Sequence, residues 1–302
     1  MRAIVAWSAL FVILWNSGFV GAEFGLPYSG PFTLLFWRYL ALSLITGGVS
    51  AIRRELRPLP SRQLARTALV GVLSHGAWLS FVLVAINRGV PAGIVALVVS
   101  LQPLITGALA GLATGERTTL RQWIGLLVGF GGVAIAVGGR LTGEHQAASI
   151  YYLLPFFSAV AMTAASLVQR QAELRSAAVS LPMSYQLFIQ SAATAVVLLG
   201  PAVIGEGLVT EWTAAYAGSL VWIVLAVSLA AYALLWHLIS RLSATRVASL
   251  FYLGPPVTML MAWIALGDSF EGTDFLGLAV GGLGVLLVSL GHRPHVPVRQ
   301  SE

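Results

Sequence analysis

The sequence predicts an all-α polytopic membrane protein, with ten transmembrane helices arranged as two inverted five-helix repeats. Three observations carry this prediction: an apolar composition, apolar runs that recur along the whole chain, and an internal duplication. Hydrophobic residues make up 58% of the chain and charged residues 9%, whereas a soluble domain carries roughly 25% charged residues. The polar surface is therefore too small to cover a body exposed to water.

Ten apolar runs have the length of roughly 20 residues that a membrane helix needs. In chain order they are Ile4–Ala22, Pro31–Ile52, Leu64–Ile86, Gly93–Ala113, Trp123–Gly139, Ile150–Val168, Leu181–Leu199, Ala217–Ile239, Val247–Leu266 and Phe275–Leu290. We expect each run to be helical, because a helix satisfies its own backbone hydrogen bonds in lipid. The runs do not alternate apolar and polar residues, as the strands of a membrane barrel do.

The first run needs a separate argument, because Val20-Gly21-Ala22 also resembles a signal-peptidase site. The basic segment before this run is a single residue, Arg2. Residues 7–10 (Trp-Ser-Ala-Leu) are also similar to residues 157–160 (Phe-Ser-Ala-Val) at the start of the sixth run. We therefore interpret the first run as a retained membrane span.

The duplication is visible in residues 88–103 and 241–256, which align without a gap from an Arg to a Pro. The match resumes after a one-residue deletion, with Gly115 opposite Gly267, Glu116 opposite Asp268, Gly129 opposite Gly281 and Gly132 opposite Gly284. Copies with an odd number of spans lie in opposite orientations, which is typical of alternating-access transporters. We expect residues 1–145 to form the first repeat, residues 146–291 the second and residues 292–302 a cytoplasmic tail.

The positions of the arginines predict the orientation, since cytoplasmic segments of membrane proteins are enriched in basic residues. With a cytoplasmic N-terminus, the inner segments hold Arg2, Arg53, Arg54, Arg57, Arg62, Arg66, Arg117, Arg121, Arg170, Arg175, Arg241, Arg246, Arg293 and Arg299. Only Arg88 and Arg140 then lie outside, and Arg38 lies within the second span. We expect both termini in the cytoplasm of a bacterium, with the chain in the inner membrane. The net charge of +6 thus reflects topology, and no nucleic-acid partner is expected.

Several kinds of chemistry are excluded by the composition. The chain has 0 cysteines, so thiolate and iron–sulfur sites are impossible. It has no lysine, so a Gly-x-x-x-x-Gly-Lys phosphate loop is also impossible, and its five histidines do not have metal-ligand spacing. We expect no enzyme activity, no metal and no cofactor. A receptor, or a membrane enzyme that uses His75, is the alternative from a different class.

A set of residues at matching places in the two copies is similar to the EamA-type repeat of the drug/metabolite transporter superfamily. This set comprises Pro31 and Arg38 in the second span, Gln102-Pro103 and Gly115-Glu116 around the fourth, and Gly254-Pro255-Pro256 and Gly267-Asp268 around the ninth. The resemblance implies a basket of ten helices with a central cavity lined by spans 1, 3, 4, 6, 8 and 9, and with spans 5 and 10 at the back. Within the superfamily, the chain most resembles bacterial exporters of aromatic amino acids. A broader exporter of drugs or nucleosides is the alternative. The partners expected are a small-molecule substrate and membrane lipid, and we expect the monomer to be functional.

The candidate cavity is centred on His75 and Trp78, which lie three residues apart on one face of the third span. An ionisable residue at that depth faces the bundle interior or a cavity, although an interhelical hydrogen bond is the alternative role for His75. The first span contributes Trp15 and the polar Asn16, and the fourth contributes Ser100 and Gln102 across from them. Tyr232, Trp236 and Tyr252 complete the candidate set, with helix packing or an aromatic belt at the membrane surface as their alternative.

Two kinds of helix feature occur at matching positions in both copies. Pro103 and Pro256 interrupt spans 4 and 9, and matched helix breaks are a pointer to a transport site. Gly125 with Gly129, and Gly277 with Gly281, form small-residue ridges that predict close packing of spans 5 and 10.

The charged residues within the spans limit the kind of substrate. No Asp or Glu lies deep in a span, which favours a neutral or zwitterionic substrate over a cationic drug. Arg38 is expected either to snorkel to the membrane surface or to pair with Glu23.

Overall fold

The computed structural model describes residues 2–106, 109, 120–141, 149–175, 181–242, 247 and 250–289. The regular structure of these residues is helical, apart from one isolated bridge between Ser29 and Thr210. The prediction of an all-helical protein is confirmed for this part of the chain. Gly115-Glu116, the tail at 292–302 and the inner end of the fourth span lie outside the described residues.

The described helical segments are numbered α1 to α10 in chain order. Their bounds are α1 Arg2–Gly25, α2 Pro31–Ile52, α3 Ser61–Asn87, α4 Ala92–Thr106, α5 Leu120–Leu141, α6 Leu154–Arg175, α7 Met183–Glu206, α8 Ala214–Ile239, α9 Gly254–Leu266 and α10 Gly272–Ser289. Helices α3 and α8 each contain a π-helical segment, Val72–Ala77 and Trp222–Ala230. Such wider turns are rare and occur frequently at functional sites.

Six described helical segments are long and apolar enough to cross a membrane. They lie in α1, α2, α3, α6, α7 and α8, while Ala92–Thr106, Trp123–Gly139 and Gly254–Leu266 are shorter apolar helices. Large apolar side chains also cover the outer surface, among them Leu44, Ile204 and Leu127. Soluble monomers rarely expose such continuous apolar surface, so these side chains are suited to lipid.

Three pairs of equivalent helices from the two repeats pack against each other, namely α2 with α7, α4 with α9 and α5 with α10. In the pair of α2 and α7, the Glu206 carboxylate at the end of α7 accepts hydrogen bonds from Phe32 N at 3.1 Å and Thr33 N at 2.7 Å at the start of α2. At the other end of the pair, Gly47 of α2 lies against Phe188 of α7. The equivalent helices therefore run in opposite directions, as inverted repeats require.

The contact between α5 and α10 has an internal two-fold symmetry. A Cβ atom on Gly132 would lie 2.4 Å from Gly281 N and 2.6 Å from Gly277 O. A Cβ atom on Gly284 would lie 2.5 Å from Gly129 N and 2.6 Å from Gly125 O. The four ridge glycines of the sequence, Gly125, Gly129, Gly277 and Gly281, therefore supply the backbone atoms of this contact. Glycine is required because the two backbones approach too closely to admit a side chain.

Candidate functional site

A cavity of about 610 Å³ lies between α1, α3, α4, α6, α8 and the start of α9. Eight of the predicted site residues line it: Trp15, Asn16, Trp78, Ser100, Gln102, Pro103, Tyr232 and Tyr252. The helices around it are the six that the family resemblance implies. None of the described residues lining it carries a charge. We call this space the large cavity.

Both repeats contribute an interrupted helix to the large cavity. Regular helix in α4 ends at Val99, resumes at Gln102 and is interrupted by turns at Ser100 and Leu101. The equivalent interruption lies at Tyr252 and Leu253, directly before α9. A proline follows each interruption, which agrees with the preference of proline for the first turn of a helix. The breaks leave polar groups beside the cavity rather than inside a continuous helix.

The two prolines expected to break the helices differ in position. Pro103 lines the large cavity. Pro256 instead lines a groove on another face, together with Met259 and Trp263, while its neighbour Pro255 lines the large cavity. Adjacent residues of a helix point about 100° apart, so Pro255 faces the large cavity, whereas Pro256, which the sequence predicts as a helix break, faces the groove.

Hydrogen bonds hold the polar residues of the large cavity in place. The Asn16 side-chain oxygen accepts from Thr258 Oγ1 at 3.2 Å, and its nitrogen donates to Val12 O at 2.8 Å. Gln102 Nε2 donates to Thr106 Oγ1 at 2.8 Å, and Thr106 is in turn 3.0 Å from Thr163 Oγ1 of α6. Each polar group is therefore positioned by a neighbouring helix or turn.

Aromatic rings form one wall of the large cavity. The Trp15 ring lies 5.2 Å from that of Tyr232 and 5.3 Å from that of Phe251, centroid to centroid. Trp78 is also part of the wall. Its indole N–H is buried and has no hydrogen-bond partner within the described part of the chain. The cavity thus combines flat apolar surfaces with a few polar groups, as small-molecule sites generally do.

His75 does not line the large cavity; it lies one layer behind it. A second, small cavity of about 40 Å³ is lined by His75, Arg38, Tyr39, Ser228 and other side chains. The His75 ring is 6% exposed, and its Nε2 lies 3.3 Å from Gln190 Oε1 of α7. His75 belongs to the π-helical segment of α3. Its interhelical hydrogen bond matches the alternative role that the sequence left open.

Trp236 does not line the large cavity but an adjoining crevice, which shares Tyr232 and Leu235 with it. It is 51% exposed and lines a polar crevice of about 220 Å³ with Ser74, Gln186 and Gln190. A position near a helix end agrees with the belt alternative for this residue.

Arg38 is a residue of the site that the sequence did not identify. It is 6% exposed, so it does not snorkel. Its Nε and Nη2 both donate to Ser228 Oγ of α8, at 3.1 and 2.9 Å. Among the described residues, the hydrogen bonds of Arg38 therefore reach Ser228 and not the expected partner Glu23. The available signal was that Arg38 is the only arginine far from the ends of a predicted span, since Arg66 is the third residue of the third span.

Metal binding has no support in the described part of the chain. No group of three or more His, Cys, Asp or Glu side chains there is arranged to hold a metal ion.

Comparison with known proteins identifies relatives over almost the entire chain. The model of the EamA-like transporter family matches residues 2–138 and 149–290. The "Uncharacterized inner membrane transporter YedA" of Escherichia coli K12 is 26% identical over 288 residues, which are 94% of this chain and 90% of that protein. The "Probable amino-acid metabolite efflux pump" of the same organism is 27% identical over 300 residues, 96% of each chain.

A relative from another bacterium and a solved structure extend this comparison. The "Probable terminal-alkyne amino-acid exporter" of Streptantibioticus cattleyicolor is 29% identical over 297 residues, 94% of this chain and 93% of that protein. One protein crystal structure has a TM-score of 0.64, with 18% identity, and covers 96% of this chain and 97% of the other. At that identity, the likeness supports the fold alone.

Proposed function

The chain belongs to the EamA-like transporter family, and from this premise we propose that it exports amino acids and related metabolites, aromatic amino acids by preference. The proposed route crosses the inner membrane of a bacterium. The observation that carries the proposal is the large cavity, which both repeats line with an interrupted helix. Matched breaks in inverted repeats are typical of sites at the middle of the membrane. Two relatives named for amino-acid export support the same substrate class.

The lining of the large cavity supports an aromatic substrate. Trp15, Trp78 and Tyr232 offer flat surfaces, and contact between aromatic rings contributes about 0.5–1.5 kcal/mol beyond the burial of area. Asn16 and Gln102 also line the large cavity, and their amide groups can orient the polar groups of a substrate by hydrogen bonds. Transport would proceed by alternating access, in which the two repeats rock around the site.

The flux of aromatic amino acids in proteoliposomes tests this proposal. Purified protein should exchange labelled tryptophan or phenylalanine well above empty vesicles. The variant Trp15→Ala should reduce this flux by about 2- to 10-fold, since one aromatic contact is lost. Trp263→Ala is the matched control, because Trp263 is exposed in a groove away from the large cavity. Wild-type flux equal to that of empty vesicles would refute amino-acid export.

We also propose ten membrane crossings, with both termini in the cytoplasm and the monomer as the functional unit. The bias of the arginines supports this topology. Because the chain has 0 cysteines, single-cysteine labelling needs no prior removal of native thiols. A cysteine at Leu56 should be protected from an impermeant reagent in whole cells, whereas one at Val209 should react; both positions are exposed. The reverse labelling pattern would refute the orientation.

A further inference from the structure

The guanidinium of Arg38 is a buried cation without a carboxylate partner among the described residues. Its hydrogen bonds go to a single neutral acceptor, the Ser228 hydroxyl, at 3.1 and 2.9 Å. That hydroxyl itself donates to Ile223 O at 2.9 Å, within the π-helical segment of α8. The remaining contact is with the ring of Tyr39, whose centroid lies 5.5 Å from the guanidinium carbon. The positive charge of Arg38 is therefore not neutralised within the described structure.

A charge in this position is costly unless an anion accompanies it. Removing an ion from water costs several kcal/mol, and only a partner with good geometry offsets that cost. A guanidinium carries five N–H donors, of which Ser228 receives two. The other N–H groups form a planar fork that matches the two oxygens of a carboxylate. These remaining N–H groups are available to a ligand.

The space beside Arg38 fits a carboxylate but not a whole amino acid. The small cavity measures about 40 Å³, and one water-sized group needs about 10–15 Å³ on this measure. The small and large cavities share four lining residues, Trp15, Phe19, Trp78 and Tyr232. The two spaces therefore adjoin each other at these four side chains. A molecule in the large cavity therefore needs to extend only one small group past them to reach Arg38.

A second free donor lies on the shared wall. The indole N–H of Trp78 is buried and has no hydrogen-bond partner among the described residues, although tryptophans that are buried usually find one. Trp78 lines both cavities. Arg38 lines the small cavity and the Trp78 side chain borders both cavities, so one charged and one neutral donor group lie close to this space, which favours an anionic ligand.

We propose that Arg38 binds the carboxylate of the transported amino acid, with the indole N–H of Trp78 as a second donor. The side chain of the substrate then occupies the large cavity, against Trp15 and Tyr232. This inference rests on the proposed function and adds a specificity rule: the transporter selects molecules that carry a carboxylate, and rejects the matching amide and amine.

Competition in proteoliposomes tests this rule. Exchange of labelled tryptophan is measured against unlabelled tryptophan, tryptophanamide and tryptamine. For the wild type, tryptophan should compete about tenfold or more better than either analogue, which is the range for a hydrogen bond to a charged group. In Arg38→Gln this preference should disappear, while Arg38→Lys should retain part of it. Arg88→Gln is the matched control, because Arg88 is exposed and bonded to Tyr151, and it should keep the full preference.

The outcomes separate this inference from the proposed function. If the wild type exchanges tryptophan and Arg38→Gln keeps the preference for it over the amide, the inference is overturned and the export function remains. A wild type that transports tryptophan and its amide equally also overturns the inference. A wild type that transports no amino acid overturns the function itself.

If Arg38→Gln does not fold, Ser228→Ala replaces it. That variant keeps the charge but removes the acceptor that positions it, and it should reduce the preference; an unchanged preference would count against the inference.

Discussion

The pair of α5 and α10 and the pair of α4 and α9 are both formed by equivalent helices, but they have opposite architectures. The α5–α10 pair is continuous, and its glycines bring the two backbones into direct contact. In the other pair, α4 is interrupted at Ser100 and Leu101, and a matching break directly precedes α9. That pair borders the large cavity. The same repeated unit therefore supplies both a rigid helix contact and an interrupted helix beside a cavity. Glycines at the contact allow the first, and prolines beside the breaks accompany the second.

The two pairs should respond differently to one added methyl group. In the α5–α10 pair, the added methyl group would clash with backbone atoms of the facing helix. Backbone atoms cannot change rotamer, so the two helices would have to move apart. At Gly254, beside the large cavity, the added methyl group would meet the Asn16 side chain, which can change its conformation. The same substitution should therefore cost stability in the first pair and transport in the second.

The largest expected effect is that of Gly132→Ala or Gly284→Ala. The added Cβ atom would lie 2.4 or 2.5 Å from a backbone nitrogen of the facing helix. Overpacking of this kind costs about 1–3 kcal/mol, and occasionally more. We expect a clearly lower melting temperature in detergent and a lower yield of folded protein.

Gly131→Ala is the matched control for this prediction. Gly131 is on the same helix, but a Cβ atom there would meet no atom within 4 Å. Its melting temperature should stay near that of the wild type. Equal melting temperatures for Gly131→Ala and Gly132→Ala would contradict the idea that the α5–α10 contact is a rigid support.

A smaller effect on stability is expected for Gly254→Ala. The added Cβ atom would lie 2.9 Å from Asn16 Oδ1, so the amide must shift and its 3.2 Å hydrogen bond from Thr258 is weakened. Loss of such a bond costs about 0.5–1.5 kcal/mol. Tryptophan exchange should fall several-fold, because Asn16 lines the large cavity.

The control for Gly254→Ala is Gly218→Ala in α8, where a Cβ atom would meet no atom within 4 Å. Both melting temperature and tryptophan exchange should be measured for the two variants. If Gly254→Ala lowers the melting temperature as much as Gly132→Ala but leaves exchange intact, the α4–α9 region is a support and the comparison between the pairs fails.

The sequence predicted which residues lie together better than it predicted which of them face the large cavity. Trp15, Asn16, Trp78, Gln102 and Tyr232 were predicted to meet, and they line one cavity. These residues are the polar or aromatic breaks in long apolar runs, and such breaks are recognisable in a linear pattern. His75 has the same character in the sequence, yet it lies behind the wall and bonds to Gln190.

By itself, the sequence determined the helical class, the duplication and the glycine ridges. Each of these depends on spacing along one chain, on helix length against the thickness of a membrane, or on the small size of glycine. Tertiary structure decided which face of each helix meets the cavity. Lipid is as apolar as the protein interior, so hydropathy does not distinguish the two sides of a membrane helix. The rotation and packing of the helices place Arg38 against Ser228. They also turn Pro255, and not Pro256, toward the large cavity. The π-helical segments of α3 and α8 are likewise visible only in the tertiary structure.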